Sequence, residues 1–129
     1  MSRGFPQPAS MRSESGQALV ETAIIVPVLL LLVFGIINFA TVWNHWETLT
    51  DAVRASGRAA ATCRFGGNYL TAYEAAAGDL SGHPAPTATT CGAAGSTITV
   101  TGTYPYSINI MGLVVKSGDL TSTVTETVE

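Results

Sequence analysis

The feature that most constrains this chain is a run of 25 residues, 22–46, that contains no Asp, Glu, Lys or Arg. Within this run, residues 23–34 are nearly all aliphatic. A helix of this length rises about 37 Å at 1.5 Å per residue, which exceeds the ~30 Å hydrocarbon core of a bilayer. The run therefore predicts one membrane-spanning helix with some tilt, over 17–46, and the lipid bilayer as a partner.

The same helix is predicted to continue to residue 61, and its second half changes character. Apolar and small side chains recur there at alternating spacings of three and four, which is the period of a packing seam. Charged residues lie off this seam, and Asp51 and Arg54 are spaced to pair at i,i+3. This half is therefore expected to form an amphipathic stalk, 47–65, outside the bilayer. The predicted seam consists of Phe39, Val42, Trp46, Leu49, Val53, Ser56, Ala60 and Cys63.

Five residues of the helix carry specific expectations. Pro27 removes a backbone donor and is predicted to kink the helix or weaken one turn. Asn38, deep in the apolar run, is expected either to bond across helices or to bond its own backbone. Trp43 and Trp46 are typical of the membrane–water interface, and His45 beside them is expected to be solvated.

The sequence beyond the stalk is typical of a small sheet domain. Residues 66–95 are predicted to be a Gly/Pro/Ser/Thr-rich loop containing a short helix at 69–77, with Leu70, Tyr73 and Ala77 on one face. From residue 96 the apolar residues alternate with threonines, the period of two that is typical of antiparallel strands.

The strand region, 96–129, is expected to hold three or four strands that bury their apolar faces against the stalk seam. Pro105 is predicted to break one strand, and Ser117-Gly118-Asp119 to form a turn. The predicted fold class is therefore α+β: a long N-terminal transmembrane and stalk helix followed by a small antiparallel β-sheet domain.

Two cysteines, Cys63 and Cys91, both lie beyond the apolar run. If this part of the chain is outside the cytoplasm, they are expected to form a disulfide. The chain-entropy model gives about 3.5 kcal/mol of stabilisation for a loop of this size. If this part is in the cytoplasm, two unpaired thiols are expected instead.

Charge and motifs argue against several functional classes. The net charge is −3 and the basic residues form no stripe, so nucleic-acid binding is not expected. The sequence contains no phosphate loop, dinucleotide fingerprint or zinc motif, and His45 and His83 have no companions at metal-ligand spacing. The sequence therefore predicts a protein that is not an enzyme and has no cofactor or metal site.

The most informative segment is the junction between the polar residues 1–16 and the apolar helix, which reads GQALVE over residues 16–21. A carboxylate at the edge of a membrane helix is costly, so Glu21 is expected to have a role there. If the chain is cut after Gly16, Gln17 gains a free α-amine, and Glu21 lies one turn away on the same face. The alternative is that Glu21 only complements the dipole at the N-terminus of the helix.

This junction resembles a type IV prepilin cleavage site, and residues 16–61 resemble the TadE-like pseudopilins of the tight-adherence pilus system. Three segments carry the likeness: GQALVE followed by TA at 22–23, the apolar helix with Pro27 inside it and GIINF at 35–39, and VRASGRAA at 53–60. The threonine-rich strands after residue 104 are similar to the family's C-terminal region more loosely. The resemblance implies a pilin-like α+β fold with a prepilin-type leader, 1–16.

The resemblance also implies a function. The chain would be a minor pilin or pseudopilin of a tight-adherence type IV pilus, acting in pilus assembly, adhesion or secretion. A prepilin peptidase would cut between Gly16 and Gln17, and Glu21, as the fifth mature residue, would serve processing or assembly. Thr22 departs from the family, which usually has an aromatic residue there, and this departure bears on the efficiency of processing.

The implied partners are the prepilin peptidase, the major pilin and other pseudopilins, and the inner-membrane pilus assembly platform. The implied location is the cytoplasmic membrane, crossed once, with the C-terminal domain extracytoplasmic; the surface pilus is a second location. The alternative to this whole interpretation is an uncleaved single-pass membrane protein whose extracytoplasmic domain binds an envelope partner.

Overall fold

The computed structural model describes residues 12–78, 80, 82, 84–110 and 112–129, with the backbone alone at 12–15 and at residue 65. It confirms the α+β class, because a long apolar helix precedes a three-stranded antiparallel sheet. Residues 1–11 of the predicted leader, and His83, lie outside the described residues. The elements are α1 (Arg12–Ala61), a 3-10 turn (Cys63–Phe65), α2 (Tyr69–Ala77), β1 (Thr87–Ala88), β2 (Thr97–Ile110) and β3 (Leu113–Thr127).

The chain divides between Gly35 and Ile36 into two compact units. The described part of the first unit is helical from Arg12, which lies upstream of the predicted start at Gln17. The helix continues through Pro27, and a kink at this proline stays a prediction. The large aliphatic side chains from Leu19 onward are exposed. By length and composition, the helical segment Gly16–Ala61 is able to cross a membrane, which fits a single-pass membrane protein.

The second unit has its core where the last turns of α1 meet α2 and the sheet. Burying these aliphatic and aromatic groups supplies the main favourable free energy of this unit. Of the three residues predicted to share one face of α2, Tyr73 and Ala77 are buried, whereas Leu70 is 37% exposed. One buried cluster contains Leu49, Ala52, Val53, Tyr73, Ala77 and Leu80; the other contains Ala60, Ile98, Val100 and Val128.

The predicted seam of α1 is confirmed from Leu49 onward, since Leu49, Val53, Ser56 and Ala60 are all buried. At its N-terminal end it is wrong: Phe39 is 65% and Trp46 is 40% exposed. In this part of the helix the polar residues Asn38 and His45 face the sheet, so the line of apolar residues identifies the wrong face. The half-buried positions are instead Asn38, Val42 and His45.

Helix α1 ends in a 3-10 turn that is closed by a glycine. The α-helix ends at Ala61 and tightens into the 3-10 turn, and Gly66 then adopts φ 87°, a left-handed conformation that glycine adopts without steric cost. The N–H of Gly66 donates to the carbonyl of Cys63. Helix α2 begins after Asn68, whose side chain accepts from the N–H groups of Leu70 and Thr71, a capping arrangement not anticipated from the sequence.

The sheet has the order β1–β2–β3, with every pair antiparallel. Strand β1 lies in the region predicted to be loop, and its two residues are too few for a period to be visible. Both predicted interruptions are wrong, because β2 runs through Pro105 and β3 runs through Gly118. The two long strands therefore form one hairpin, whose turn contains Gly112 at φ 86°.

Pro105 is tolerated because of the direction in which its missing N–H would point. Thr99 exchanges hydrogen bonds with Thr89, on the β1 side of β2. Pro105 lies six residues after Thr99, with no register shift between them. Backbone groups alternate in direction along a strand, so the nitrogen of Pro105 faces the β1 side as well. On that side β1 pairs only with Val100 and Thr101 and does not reach Pro105. The proline thus removes no hydrogen bond from the β2–β3 ladder.

Gly118 is accommodated in β3 by its partner across the ladder. It pairs with Tyr106, and a Cβ built on Gly118 would lie 3.2 Å from Tyr106 Cε1. The tyrosine ring therefore covers the strand at the position where the glycine has no side chain of its own, an arrangement that supports glycine within strands.

The two faces of the hairpin differ as predicted. Leu120, Val124 and Val128 lie on the side of α1, and Thr121, Thr123, Thr125 and Thr127 are exposed on the other side. Threonines of β2 lie opposite those of β3, and two pairs of hydroxyls are in hydrogen-bond contact. The distances are 3.2 Å between Thr99 Oγ1 and Thr125 Oγ1 and 3.1 Å between Thr101 Oγ1 and Thr123 Oγ1.

Candidate processing and assembly site

Gln17 and Glu21 lie on one face of α1, one turn apart. The side-chain amide nitrogen Nε2 of Gln17 donates to Glu21 Oε1 at 3.4 Å. Both residues are exposed. The carboxylate of Glu21 thus reaches back along the helix toward the segment where the predicted cut would create an amine.

Gly16 lies inside the helix, so the peptide bond between Gly16 and Gln17 is helical in this chain. A Cβ built on Gly16 would meet no atom within 4 Å. The bond is therefore sterically accessible from the side of Gly16. The low helix propensity of glycine, about 1 kcal/mol below alanine, lowers the cost of locally unwinding the helix at this point.

Thr22, the position that departs from the resembled family, turns its hydroxyl back onto the helix. Thr22 Oγ1 donates to the carbonyl of Ala18 at 2.8 Å. Because the hydroxyl is satisfied by the helix itself, Thr22 does not add an unpaired polar group to an apolar environment.

The aromatic residues on the exposed side of α1 contact each other in sequence. The ring centroids of Phe39 and Trp43 are 6.1 Å apart, and those of Trp43 and Trp46 are 5.4 Å apart. The indole nitrogen of Trp43 donates to Glu47 Oε1 at 3.0 Å. This arrangement, with apolar rings and a polar contact at one end, is the pattern expected where a helix leaves a bilayer.

The first charged pair beyond these aromatics is the one predicted from spacing. Arg54 Nη1 lies 3.6 Å from Asp51 Oδ1, with both side chains largely exposed. An exposed i,i+3 pair of this kind contributes only a few tenths of a kcal/mol, so it marks the solvated face of the stalk rather than a site.

Asn38 and His45 contact the sheet, which the sequence did not indicate. The N–H of Asn109 in β2 donates to Asn38 Oδ1 at 3.4 Å, a contact with the sheet that was not expected. The ring of His45 meets that of Tyr104 edge to face, with centroids 5.1 Å apart. His45 is half-buried, so the prediction of a solvated histidine is wrong.

Cys63 and Cys91 form a disulfide, with their Cα atoms 6.2 Å apart. The bridge joins the 3-10 turn at the end of α1 to the segment that precedes β2. It is the outcome expected if this part of the chain lies outside the cytoplasm. Among the residues that the structure describes, no group of three or more His, Cys, Asp or Glu side chains is arranged to hold a metal ion.

Residues 16–58 match the model of the TadE-like protein family. The match confirms the resemblance over about a third of the chain, and it indicates a protein associated with a tight-adherence pilus. The TadE-like proteins are not a known enzyme family. No curated protein and no solved structure shows significant similarity to the chain.

The TadE-like segment begins at Gly16 and contains Gln17, Glu21 and Pro27. It ends at residue 58, before the sheet, so the hairpin and the disulfide lie outside the matched region. What sequence reasoning missed is the contact of Asn38 and His45 with β2. The sequence contained a signal for this contact, because Asn38, Val42, His45 and Leu49 follow one another at spacings of four, three and four residues.

Proposed function

We propose that this TadE-like chain is a minor pilin or pseudopilin of a tight-adherence type IV pilus. A prepilin peptidase cuts it between Gly16 and Gln17, and the mature chain acts with the major pilin, other pseudopilins and the inner-membrane assembly platform. The observation that carries the proposal is the start of the family match at Gly16, next to a helix in which Gln17 and Glu21 share one face.

The chemistry of the junction supports a cut at this bond. Cleavage releases an α-amine on Gln17, which is positively charged at neutral pH. Glu21 lies one turn along the same helix face, where a carboxylate is attracted both by this amine and by the N-terminal end of the helix dipole. The carboxylate would otherwise be a costly group at the edge of a bilayer.

The same pair of charges provides a means of assembly. When mature helices pack side by side, the α-amine of one subunit and the Glu21 carboxylate of its neighbour can pair within an apolar surrounding. Charges paired in such surroundings interact more strongly than in water, and a misplaced subunit would leave one of them unpaired. Glu21 would thereby set the longitudinal position of each subunit.

Measuring the intact mass of the chain extracted from membranes tests processing. The expected mass is that of a chain beginning at Gln17, and a Gly16→Leu variant is expected to retain the leader. A wild-type chain that begins at Met1 would overturn the processing step.

The role of Glu21 is tested by Glu21→Gln, with Glu74→Gln as the matched control. Glu74 is an exposed carboxylate on α2, far along the chain from the junction. Glu21→Gln is expected to reduce pilus number on cells while Glu74→Gln leaves it unchanged. Normal piliation by the Glu21 variant would contradict an assembly role.

An uncleaved membrane anchor is the second candidate, and one observation favours it. The helix passes through Gly16 without interruption, whereas a peptidase must open the backbone at the bond that it cuts. In this alternative the C-terminal domain binds an envelope partner and the leader is retained. The mass measurement separates the two, since only the anchor keeps residues 1–16.

A further inference from the structure

The turn of the long hairpin carries an apolar surface that faces solvent. Leu113, Val114 and Val115 are consecutive and are 74%, 63% and 64% exposed. Successive residues of a strand point to opposite faces, so this surface covers both faces of the hairpin. We refer to residues 108–110 and 112–115 as the hairpin tip. Three exposed aliphatic residues in a row at the end of a sheet are costly in water and indicate an apolar partner.

The hairpin tip lies beside the apolar part of α1. The N–H of Asn109 donates to Asn38 Oδ1 at 3.4 Å, and Asn38 belongs to the uncharged run of the helix. Its neighbours Ile36, Ile37 and Phe39 are exposed on the helix surface by 60%, 54% and 65%. The tip and this helix segment therefore both expose apolar side chains, and the contact of Asn109 with Asn38 holds them side by side.

The tryptophans show where this level lies relative to a membrane surface. Asn38 precedes Trp43 by five residues and Trp46 by eight, which corresponds to about 7 Å and about 12 Å along a helix. Because Trp side chains favour the headgroup region, the hairpin tip lies on the bilayer side of that region if the helix crosses there.

We propose that the hairpin tip inserts into the interfacial layer of the bilayer that α1 crosses, giving the domain a second contact with lipid. The bilayer is the favoured occupant, because the tip lies beside the exposed apolar residues of the helix that is able to cross a membrane. The proposal depends on the membrane location of α1 but not on cleavage at Gly16 or on entry into a filament.

Backbone chemistry limits the depth of insertion. In the part of the chain that the structure describes, no further strand pairs with either outer edge of the hairpin near the tip. The backbone N–H and C=O groups on these edges therefore lack strand partners, and such groups are not tolerated in the hydrocarbon core. The tip therefore enters the boundary between headgroups and acyl chains, the depth of about 5–10 Å that amphipathic segments occupy. Lys116 follows the apolar residues and is exposed, so its ammonium group can reach lipid phosphates from there.

A fluorophore on the tip tests the proposal in the full chain. Val114→Cys, labelled with an environment-sensitive NBD group while the Cys63–Cys91 disulfide is kept intact, is reconstituted in lipid nanodiscs. Thr127→Cys is the matched control, because Thr127 is exposed near the opposite end of β3. Emission of the Val114 label is expected to shift to the blue and to be quenched by lipids that carry a spin label high on the acyl chain. The Thr127 label is expected to show neither change.

Equal emission and equal quenching at the two positions would overturn the proposal. A blue shift at Val114 that grows with the protein-to-lipid ratio, without quenching by the labelled lipid, would indicate a second copy of the chain as the occupant and would also overturn it. If the Val114 variant does not form the disulfide, Leu113→Cys takes its place, because Leu113 is the most exposed of the three residues.

Discussion

Gly57 of α1 lies so close to Val124 of β3 that a Cβ built on the glycine would stand 2.5 Å from Val124 Cγ1. Real Cβ atoms do not approach other carbon atoms so closely, so the helix and the hairpin meet here through the absence of a side chain. Ser56, next to Gly57, is fully buried and donates its hydroxyl to the carbonyl of Val53 at 2.9 Å. The small residues of the stalk therefore allow the sheet to approach the helix closely.

Gly57→Ala is expected to destabilise the Ile36–Glu129 unit. The added methyl group overpacks the contact with Val124, which typically costs 1–3 kcal/mol, and the gain in helix propensity, about 1 kcal/mol, offsets only part of this cost. Denaturant unfolding in detergent, followed by near-ultraviolet circular dichroism, measures the change. Gly35→Ala is the control, since a Cβ there meets no atom within 4 Å, and an equal loss from both variants would contradict the packing argument.

Gly102 and Val53 are expected to show an energetic coupling. A Cβ built on Gly102 would lie 2.6 Å from Val53 Cγ2, so Gly102→Ala alone overpacks the core. In a Val53→Ala background the space left by the valine accepts the new methyl group. A double-mutant cycle on the free energy of unfolding is therefore expected to give a favourable coupling of about 1 kcal/mol. Strict additivity of the two changes would show that the two residues do not share this space.

Removing the disulfide is expected to lower the stability of the second unit by about 3.5 kcal/mol in the chain-entropy model. The paired variant Cys63→Ser/Cys91→Ser, compared with the oxidised wild type, measures this difference in the free energy of unfolding. Thiol labelling of protein taken directly from membranes shows whether the bridge forms in the cell. Two reactive thiols in the wild-type protein would indicate that this domain is exposed to a reducing compartment.

Pro105 is expected to be replaceable, whereas a proline one residue later is not. The nitrogen of Pro105 faces away from β3, so Pro105→Thr is expected to change the stability by less than about 0.5 kcal/mol. Tyr106→Pro removes a donor to β3, which costs about 1–3 kcal/mol for the unpaired carbonyl alone. Tyr106→Ala is the control, because it removes the tyrosine ring but keeps the backbone N–H. If Tyr106→Pro is no worse than Tyr106→Ala, the assigned direction of the backbone groups is wrong.

The stability of the second unit is expected to fall at high pH through Tyr73. Burial raises the pKa of its hydroxyl above the ordinary 10.0, because desolvation disfavours the charged form. Below pH 10 the hydroxyl is neutral in both states; above it, Tyr73 ionises first in the unfolded chain, which stabilises that state. The unfolding free energy of the wild type is therefore expected to fall relative to that of Tyr73→Phe as the pH rises above about 10. A difference that does not depend on pH would contradict the assignment to Tyr73.

The sequence correctly predicted the elements in which apolar and polar side chains alternate with a regular helix or strand period. The short helix Tyr69–Ala77 has the predicted bounds, and the threonines of β3 line the exposed face as expected. Residue type alone gave wrong predictions at Pro105 and Gly118, because these turn-forming residues lie inside strands. Whether a strand tolerates Pro105 depends on which side of the strand its nitrogen faces, and whether it tolerates Gly118 depends on the residue opposite, Tyr106. Strand pairing decides both.

The junction was the most predictable part of the site, because Gln17 and Glu21 are related by helix geometry alone. The spacing from Leu49 could have placed Asn38 and His45 on the face that meets the sheet, but their partners Asn109 and Tyr104 were not predictable, since each contact joins residues far apart in sequence. The predicted seam failed at Phe39 and Trp46 because the sheet contacts the polar residues Asn38 and His45 on another face of the helix.

The sequence by itself therefore determined the features that depend on neighbours along the chain: a helix able to span a membrane, the stalk that continues it, the spacing of Gln17 and Glu21, and the alternation of the strands. Only the tertiary structure decided which face of the stalk meets the sheet, that two long strands form one hairpin, and that an apolar tip lies beside Asn38. The physical reason is that period and propensity act within a few residues, whereas packing and strand pairing select among many arrangements that satisfy them equally well.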